Sequence, residues 1–84
     1  MDTRALSVFV SVAETLNFSR SAEGLHLSVS AVSRTIARLE TELGQPLLER
    51  DNRSVRLTAA GREFRDYARA ALADWQQLKS RLGG

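Results

Sequence analysis

Residues 17–44, NFSRSAEGLHLSVSAVSRTIARLETELG, predict two helices joined by a tight turn. Residues 17–19 break the helical pattern that precedes them and supply residue types that favour helix N-caps. A short helix is therefore expected from about Arg20 to Leu25, with Ala22 and Leu25 facing inward. The connection that follows is only about three residues long.

The second helix of this pair is longer and has two different faces. Ser28 is expected to cap it, residues from about Val29 to Leu43 to form it, and Gly44 with Pro46 to end it. Its apolar residues recur every three or four positions and form one stripe: Val32, Ile36, Leu39 and Leu43. A short helix, a tight turn and a helix with one apolar face match the helix-turn-helix pattern.

The polar face of the longer helix has an unusual charge pattern, because residues 24–39 contain no Asp or Glu. At about 100° per residue, Ser30, Arg34, Ala37, Arg38 and Thr41 project opposite the apolar stripe, and Ser33 lies on the flank. Small hydroxyl residues beside arginines, near a helix N-terminus, suit a surface that meets phosphates and base edges.

Regular elements are also predicted on both sides of this pair. A helix is expected from about Thr3 to Thr15, because apolar residues recur at helical spacing: Leu6, Phe9, Val10, Ala13 and Leu16. After the pair, residues 47–50 and 54–57 flank a turn-forming Asp-Asn-Arg and predict a β-hairpin, or wing, with Arg53 at its tip.

A long helix closes the sequence, capped by Thr58 and running to about Leu82. Its apolar residues alternate at spacings of four and three and form a heptad seam: Phe64, Ala68, Ala71, Trp75, Leu78 and Leu82. Such a seam needs a partner, and a second copy of the chain is the simplest one. These six residues are the predicted dimer interface, and Trp75 is assigned to it rather than to base stacking.

Composition limits the remaining possibilities. The 84 residues contain no Cys and one His, His26, so neither a catalytic nor a metal site is predicted, and His26 is interpreted as a structural turn residue. No apolar run approaches the ~20 residues of a membrane span, and no signal peptide is recognisable, so a cytoplasmic protein without a membrane partner is expected. Eleven of the twelve basic residues are Arg, which suits phosphate and guanine recognition but equally fits GC-rich coding.

Many of these positions together resemble one family. The residues that carry the resemblance are Phe18-Ser19-Arg20-Ser21-Ala22, Leu25-His26-Leu27-Ser28, Ala31-Val32-Ser33-Arg34, Ile36, Leu39-Glu40, Leu43-Gly44, Pro46-Leu47-Leu48, Arg50 and Leu57-Thr58-Ala59-Ala60-Gly61. Over about residues 2–82 the chain resembles the N-terminal part of the LysR-type transcriptional regulators. The runs 43–47 and 50–53 are most similar to members that control branched-chain amino acid synthesis.

The resemblance implies a mainly α fold: a winged helix-turn-helix of three helices and a two-stranded wing over residues 1–57, then a long dimerisation helix over residues 58–84. It implies a homodimer, often a tetramer in full-length members, on a double-stranded DNA operator. Full-length members carry a C-terminal effector-binding domain, so an inducer is expected to bind there, and no cofactor is expected within these residues.

The resemblance also assigns roles to individual residues. The helix that starts at Val29 would enter the major groove, and Arg53 would reach the minor groove. The predicted base contacts are Val29, Ser30, Ser33 and Arg34. Many family members have Gln where this chain has Val29, which can offer only an apolar contact, for instance to a thymine methyl group.

Six further residues are predicted phosphate contacts: Ser19, Arg20, Ser28, Arg38, Arg50 and Arg56. Some have alternatives within the chain. Arg38 could instead pair with Glu42 one turn later, and Arg50 and Arg56 could pair with Glu49 and Asp51.

Two other classes of function compete with DNA recognition. The heptad seam alone would suit a helical oligomerisation or protein-interaction module. An enzyme is disfavoured, because the sequence has neither a Gly-rich phosphate loop nor paired carboxylates at catalytic spacing.

Overall fold

The computed structural model describes residues 1–83, which form four helices and one two-stranded antiparallel sheet. The elements, in chain order, are α1 (Thr3–Thr15), α2 (Phe18–Leu25), α3 (Val29–Leu43), β1 (Leu48–Arg50), β2 (Val55–Leu57) and α4 (Ala59–Gly83). The predicted fold, a winged helix-turn-helix followed by a long helix, is confirmed. Gly84, the last residue of the predicted linker segment, lies outside the described residues.

The core lies where α1 packs against the other three helices. Its buried apolar residues are Leu6, Val8, Phe9, Val12, Ala13, Ala22, Val32, Ile36, Leu39, Leu47, Leu48, Phe64 and Ala68. The α3 stripe is buried as predicted except for Leu43, which is exposed in the last turn. Leu16, predicted to belong to the α1 stripe, is instead an exposed left-handed C-cap with a φ of 51°.

Local capping sets the ends of the helix pair. The Asn17 carboxamide oxygen accepts from the Arg20 amide at 2.9 Å, so α2 begins at Phe18, two residues before the predicted start. Ser28 caps α3 as predicted, because its hydroxyl oxygen accepts from the Ala31 amide at 3.0 Å. His26, as predicted, is a turn residue: it ends α2 in the left-handed conformation, with a φ of 58°.

The wing joins α4 through Thr58, whose hydroxyl and backbone amide together make three hydrogen bonds. Its hydroxyl donates to the Pro46 carbonyl at 2.7 Å and accepts from the Gly61 amide at 2.9 Å. Its backbone amide donates to the Leu47 carbonyl at 3.0 Å. The predicted cap is confirmed, and it holds the start of α4 tightly against the strand entry at Leu47.

The predicted heptad seam divides between two environments. Phe64 and Ala68 are only 8% and 0% exposed within a single chain, and the Phe64 ring centroid lies 5.1 Å from that of Phe9 on α1. Assigning these two residues to a dimer interface was therefore wrong, because α1 already covers them. Ala71 is half-buried against the same core. The remaining members stay open to solvent: Trp75, Leu78 and Leu82.

None of the helices within residues 1–83 combines the length and the apolar character that crossing a bilayer would require.

Candidate nucleic-acid interface

The outward face of α3 has the polar and basic character that its sequence predicts. Ser30, Arg34 and Arg38 are exposed, and Ser33 is half-buried on the flank. Val29, which was predicted to offer only an apolar contact, is 46% exposed. The four predicted base-contact residues line one shallow depression together with Ala37. The fold therefore gathers them on one surface that an approaching duplex can reach.

The N-termini of α2 and α3 both bring exposed hydroxyl groups to the surface. Ser28 is exposed, and its hydroxyl oxygen accepts from the Ala31 amide. That bond uses only an acceptor site of the hydroxyl group, so the hydroxyl hydrogen can still be donated to an anion. Ser19 and Arg20 lie exposed in the first turn of α2. Helix N-termini carry unpaired amides and a partial positive charge, so both ends favour phosphate.

A hydroxyl network that the sequence analysis missed fixes α2 against α1. Ser21 is 1% exposed, and its hydroxyl lies 3.0 Å from that of Ser11 and 2.7 Å from that of Thr15. The Thr15 hydroxyl in turn donates to the Asn17 carbonyl at 3.0 Å. Every hydroxyl has a partner, so this polar contact is buried without an unpaired group. It orients the N-terminus of α2, where Ser19 and Arg20 lie.

The wing is a short hairpin whose turn is organised by one carboxylate. Leu48 pairs with Leu57 and Arg50 with Val55, which leaves Asp51 to Ser54 as the turn. The Asp51 carboxylate accepts from the amides of Arg53 and Ser54, each at 2.8 Å. Arg53 is exposed at the tip, and within residues 1–83 no carboxylate pairs with its guanidinium.

The wing turn is expected to loosen at acid pH. Hydrogen bonds from the Arg53 and Ser54 amides lower the pKa of Asp51 below its ordinary value of 3.8. A depressed pKa means that this contribution to stability is complete above pH 3.8 and is lost as pH falls through the lower, folded-state pKa. The amide resonances of Arg53 and Ser54 should shift together below pH 3.8. Asp51→Asn, which keeps an acceptor oxygen but cannot titrate, should abolish that joint shift, and its persistence in the variant would contradict the assignment.

The two strand arginines have different partners. Arg56 lies opposite Glu49, and their charged groups are 3.5 Å apart. Of the two carboxylates offered as intramolecular partners for Arg56, the structure therefore shows Glu49. Arg50 does not pair with Asp51; its guanidinium carbon lies 4.5 Å from the centroid of the Phe18 ring. This cation–π contact connects the wing to the first residue of α2.

Phe18→Leu is therefore expected to weaken DNA binding although it removes no charge. An exposed cation–π contact contributes about 0.5–1 kcal/mol, so the loss should be about two- to fivefold per wing. If Phe18 affects DNA binding by holding Arg50, then Phe18→Leu should cause no further loss of affinity in an Arg50→Gln background. Titrations of wild type, both single variants and the double variant give this coupling. Fully additive losses would show that Arg50 binds DNA independently of Phe18.

Glu40 also has a structural role that the sequence did not predict. Its side chain accepts from the amides of Leu47 and Leu48 at 2.7 and 3.3 Å, and so it fixes the entry to β1 onto α3.

The predicted alternative partner of Arg38 is engaged elsewhere. Among residues 1–83, Arg38 makes no ion pair with Glu42, and the Glu42 carboxylate lies 3.0 Å from the Met1 amino group instead. Within the same residues, no group of side chains is arranged to hold a metal ion.

Comparison with known proteins agrees with this geometry. The model of the bacterial regulatory helix-turn-helix protein, lysR family, matches residues 3–62, which is well over half of the chain. The chain belongs to the LysR family. It is 51% identical over 82 residues to the HTH-type transcriptional activator IlvY of Salmonella typhimurium, a match that covers 98% of this chain and 28% of the relative. It is 52% identical over 79 residues to the regulator IlvY of Escherichia coli K12, covering 94% and 27%.

Solved structures of this LysR family have the same architecture. The DNA-binding domain of BenM in complex with catB site 1 DNA superimposes with a TM-score of 0.94 at 38% identity, covering 99% of this chain and 92% of that chain. Full-length CbnR complexed with its target DNA gives 0.91 at 40% identity, covering 96% and 28%. The present chain thus spans less than a third of the length of the curated relatives that it matches.

Proposed function

We propose that this chain is the DNA-binding part of a non-enzymatic LysR-type transcription regulator and recognises a specific operator sequence. The observation that carries the proposal is the outward face of α3, where Ser30, Ser33 and Arg34 lie together without a neighbouring carboxylate. Two similar solved structures are DNA complexes, which supports the same use of this surface.

In this proposal, α3 enters the major groove with its N-terminal half against the bases. Arg34 would donate two hydrogen bonds to a guanine edge, while Ser30 and Ser33 bond neighbouring bases and Val29 packs on a thymine methyl. Phosphate contacts would hold the register. They would come from Ser19, Arg20, Ser28 and Arg38, from Arg56 in exchange for its solvent-exposed pair with Glu49, and, through the wing, from Arg50. Arg53 would enter the adjacent minor groove, whose narrow form concentrates negative potential.

The proposed assembly is a homodimer formed through the second half of α4. Trp75, Leu78 and Leu82 remain exposed there beyond the part of α4 that packs on α1. A dimer that binds both halves of a palindromic operator discriminates between sequences more strongly than one small domain does. The similarity to the two IlvY proteins supports control of branched-chain amino acid synthesis, with tetramer formation and inducer binding belonging to the full-length regulator.

The proposal is tested by selecting duplexes from a random pool with this protein and comparing the selected duplex with a scrambled one. We expect a preference of at least about 1,000-fold for the selected duplex at physiological salt. Affinity should also fall steeply with added salt, because phosphate contacts release counterions. Equal affinity for both duplexes, or affinity indifferent to salt, would contradict the proposal.

Trp75→Ala is expected to weaken the dimer and, through it, binding to a duplex with two half-sites. Truncating a large buried aromatic residue typically costs about 3–5 kcal/mol in a core, and an interface exposed at its edges gives less. Sedimentation should show dissociation at concentrations where wild type is dimeric. Gln77→Ala, at an exposed polar position of the same helix, is the matched control. An unchanged dimer in Trp75→Ala would remove Trp75 from the interface.

The exposed apolar residues of α4 alone would also suit an oligomerisation module that does not read DNA. The double variant Arg34→Ala/Arg53→Ala distinguishes the two functions. For a DNA-reading domain it should dimerise normally and lose the preference for the selected duplex. For an oligomerisation module, wild type itself should show no such preference.

A further inference from the structure

A cleft of about 320 Å³ lies between the N-terminus of α1 and one flank of α3. Two arginines line it, Arg4 from α1 and Arg38 from α3, together with Thr35 and the acidic residues Asp2 and Glu42. Both arginines are exposed. Arg4 has no part in the function proposed above, although it lies in the cleft with a residue assigned to phosphate binding.

The two carboxylates in this α1/α3 cleft are already bonded to other groups. Asp2 accepts from the Ala5 amide at 2.8 Å and caps α1. Glu42 lies 3.0 Å from the Met1 amino nitrogen. Throughout residues 1–83, neither Arg4 nor Arg38 has a carboxylate within ion-pair distance. The cleft therefore presents two guanidinium groups whose hydrogen-bonding capacity is not used by a charged partner.

The position of the cleft relative to the outward face of α3 indicates the ligand. At about 100° per residue, Arg38 lies between the face centred on Arg34 and the flank that Thr35 and Glu42 occupy. Arg38 also lines the next surface depression along, with Ala37 and Thr41 on the outward face. The flanks of a helix that lies in a major groove face the two phosphate backbones that border the groove, so the cleft, on one flank of α3, would lie over one of them.

We propose that Arg4 and Arg38 hold adjacent backbone phosphates of the operator at the α1/α3 cleft, one phosphate each, which makes α1 part of the DNA-binding surface. The inference rests on the proposed function, because it assumes that α3 occupies the major groove. Guanidinium groups suit the site, since each can donate two parallel hydrogen bonds to one phosphate. These contacts would clamp α3 from the side opposite Ser33, and so fix the angle at which Arg34 meets the bases.

The test compares the salt dependence of binding in wild type, Arg4→Gln and Arg4→Lys on the selected two-half-site duplex. Each phosphate contact contributes about 0.9 to the slope of log affinity against log salt. A dimer that loses two contacts should therefore lose about 1.8 from that slope. Between 50 and 200 mM salt, the affinity of wild type for the duplex should fall by a factor about 12 times larger than that of Arg4→Gln. Arg4→Lys, which keeps the charge, should retain the wild-type slope.

Arg81→Gln is the matched control, because Arg81 is also exposed and lies in the last turn of α4. It should leave the slope unchanged. Ethylation interference gives an independent readout: one phosphate per half-site whose modification blocks wild type should cease to matter for Arg4→Gln. Thermal unfolding of each variant shows whether the fold is retained.

The outcomes separate the two proposals. If wild type shows neither sequence preference nor a salt slope, the proposed function fails and this inference fails with it. If wild type shows both, but Arg4→Gln matches wild type in slope and in ethylation pattern, only the α1/α3 phosphate site is overturned. A reduced slope with one lost ethylation signal per half-site supports the site.

Discussion

Gly61→Ala should destabilise the domain by about 3 kcal/mol, at the upper end of the cost of forcing an extra methyl group into tight packing. A Cβ at Gly61 would collide with the Leu47 carbonyl oxygen, and it would also lie 3.0 Å from the Leu47 carbonyl carbon and 3.2 Å from Leu57 Cδ2. Backbone cannot turn aside as a flexible side chain does. The same carbonyl accepts from the Thr58 amide, so moving it would also disturb the junction of wing and α4.

Gly24→Ala is the matched control, because it makes the same change in another helix. Nothing lies within 4 Å of a Cβ built at Gly24, and its φ is not in the left-handed region. Alanine has the higher helix propensity, so this variant should be more stable than wild type by about 0.5–1 kcal/mol. The two substitutions should therefore change the free energy of unfolding in opposite directions.

Thermal unfolding at one fixed protein concentration measures both effects. The Tm of Gly61→Ala should fall by more than about 10 °C, since 1 kcal/mol shifts Tm by roughly 4–8 °C in a domain of this size. The Tm of Gly24→Ala should rise by a few degrees. A Gly61→Ala variant as stable as wild type would show that the α4–wing junction can widen without cost.

Arg34→Ala should remove most of the preference for the selected duplex. A bidentate arginine–guanine contact contributes about 1–3 kcal/mol of discrimination. A dimer makes it twice, so the preference should fall by a factor between about 30 and 20,000. The surface geometry supports this size of effect, because Arg34 is exposed beside Ser30 and Ser33 and is not engaged by any carboxylate of residues 1–83.

Arg34→Lys separates base reading from simple charge. Lysine keeps the positive charge but cannot form the planar two-bond contact. It should retain affinity for the scrambled duplex and the salt slope while losing much of the sequence preference. Competition titrations with selected and scrambled duplexes measure both quantities. Equal losses on the two duplexes in Arg34→Ala would reassign Arg34 to phosphate binding.

The helix-turn-helix itself could be predicted from sequence because its signals are local. Ser28 caps α3 through an amide three residues later, Gly44 ends it, and the stripe from Val32 to Leu39 repeats within a few positions. The start of α2 could not be fixed by such local signals. Residues 17–19 offered more than one N-cap, and the structure selects Asn17, whose carbonyl is also held by Thr15.

The partners of the arginines could not be predicted in the same way. Sequence spacing left carboxylates as candidates for Arg38 and Arg50. In the fold, Arg50 lies on the ring of Phe18, which is 32 positions earlier in the chain, and Glu42 contacts the Met1 amino group rather than Arg38. Long side chains take whichever partner the packed elements bring within reach, and the sequence near an arginine does not contain that information.

The sequence by itself therefore determined the helices, the caps of α3, the N-cap of α4 and which face of α3 is polar, because hydrogen bonds and apolar periodicity act within a few residues of each other. Only the tertiary structure decided how the α4 seam is used, with Phe64 and Ala68 buried against α1 and Trp75, Leu78 and Leu82 left exposed. A heptad specifies that a helix has an apolar stripe. Which surface covers each part of the stripe depends on where the rest of the chain packs.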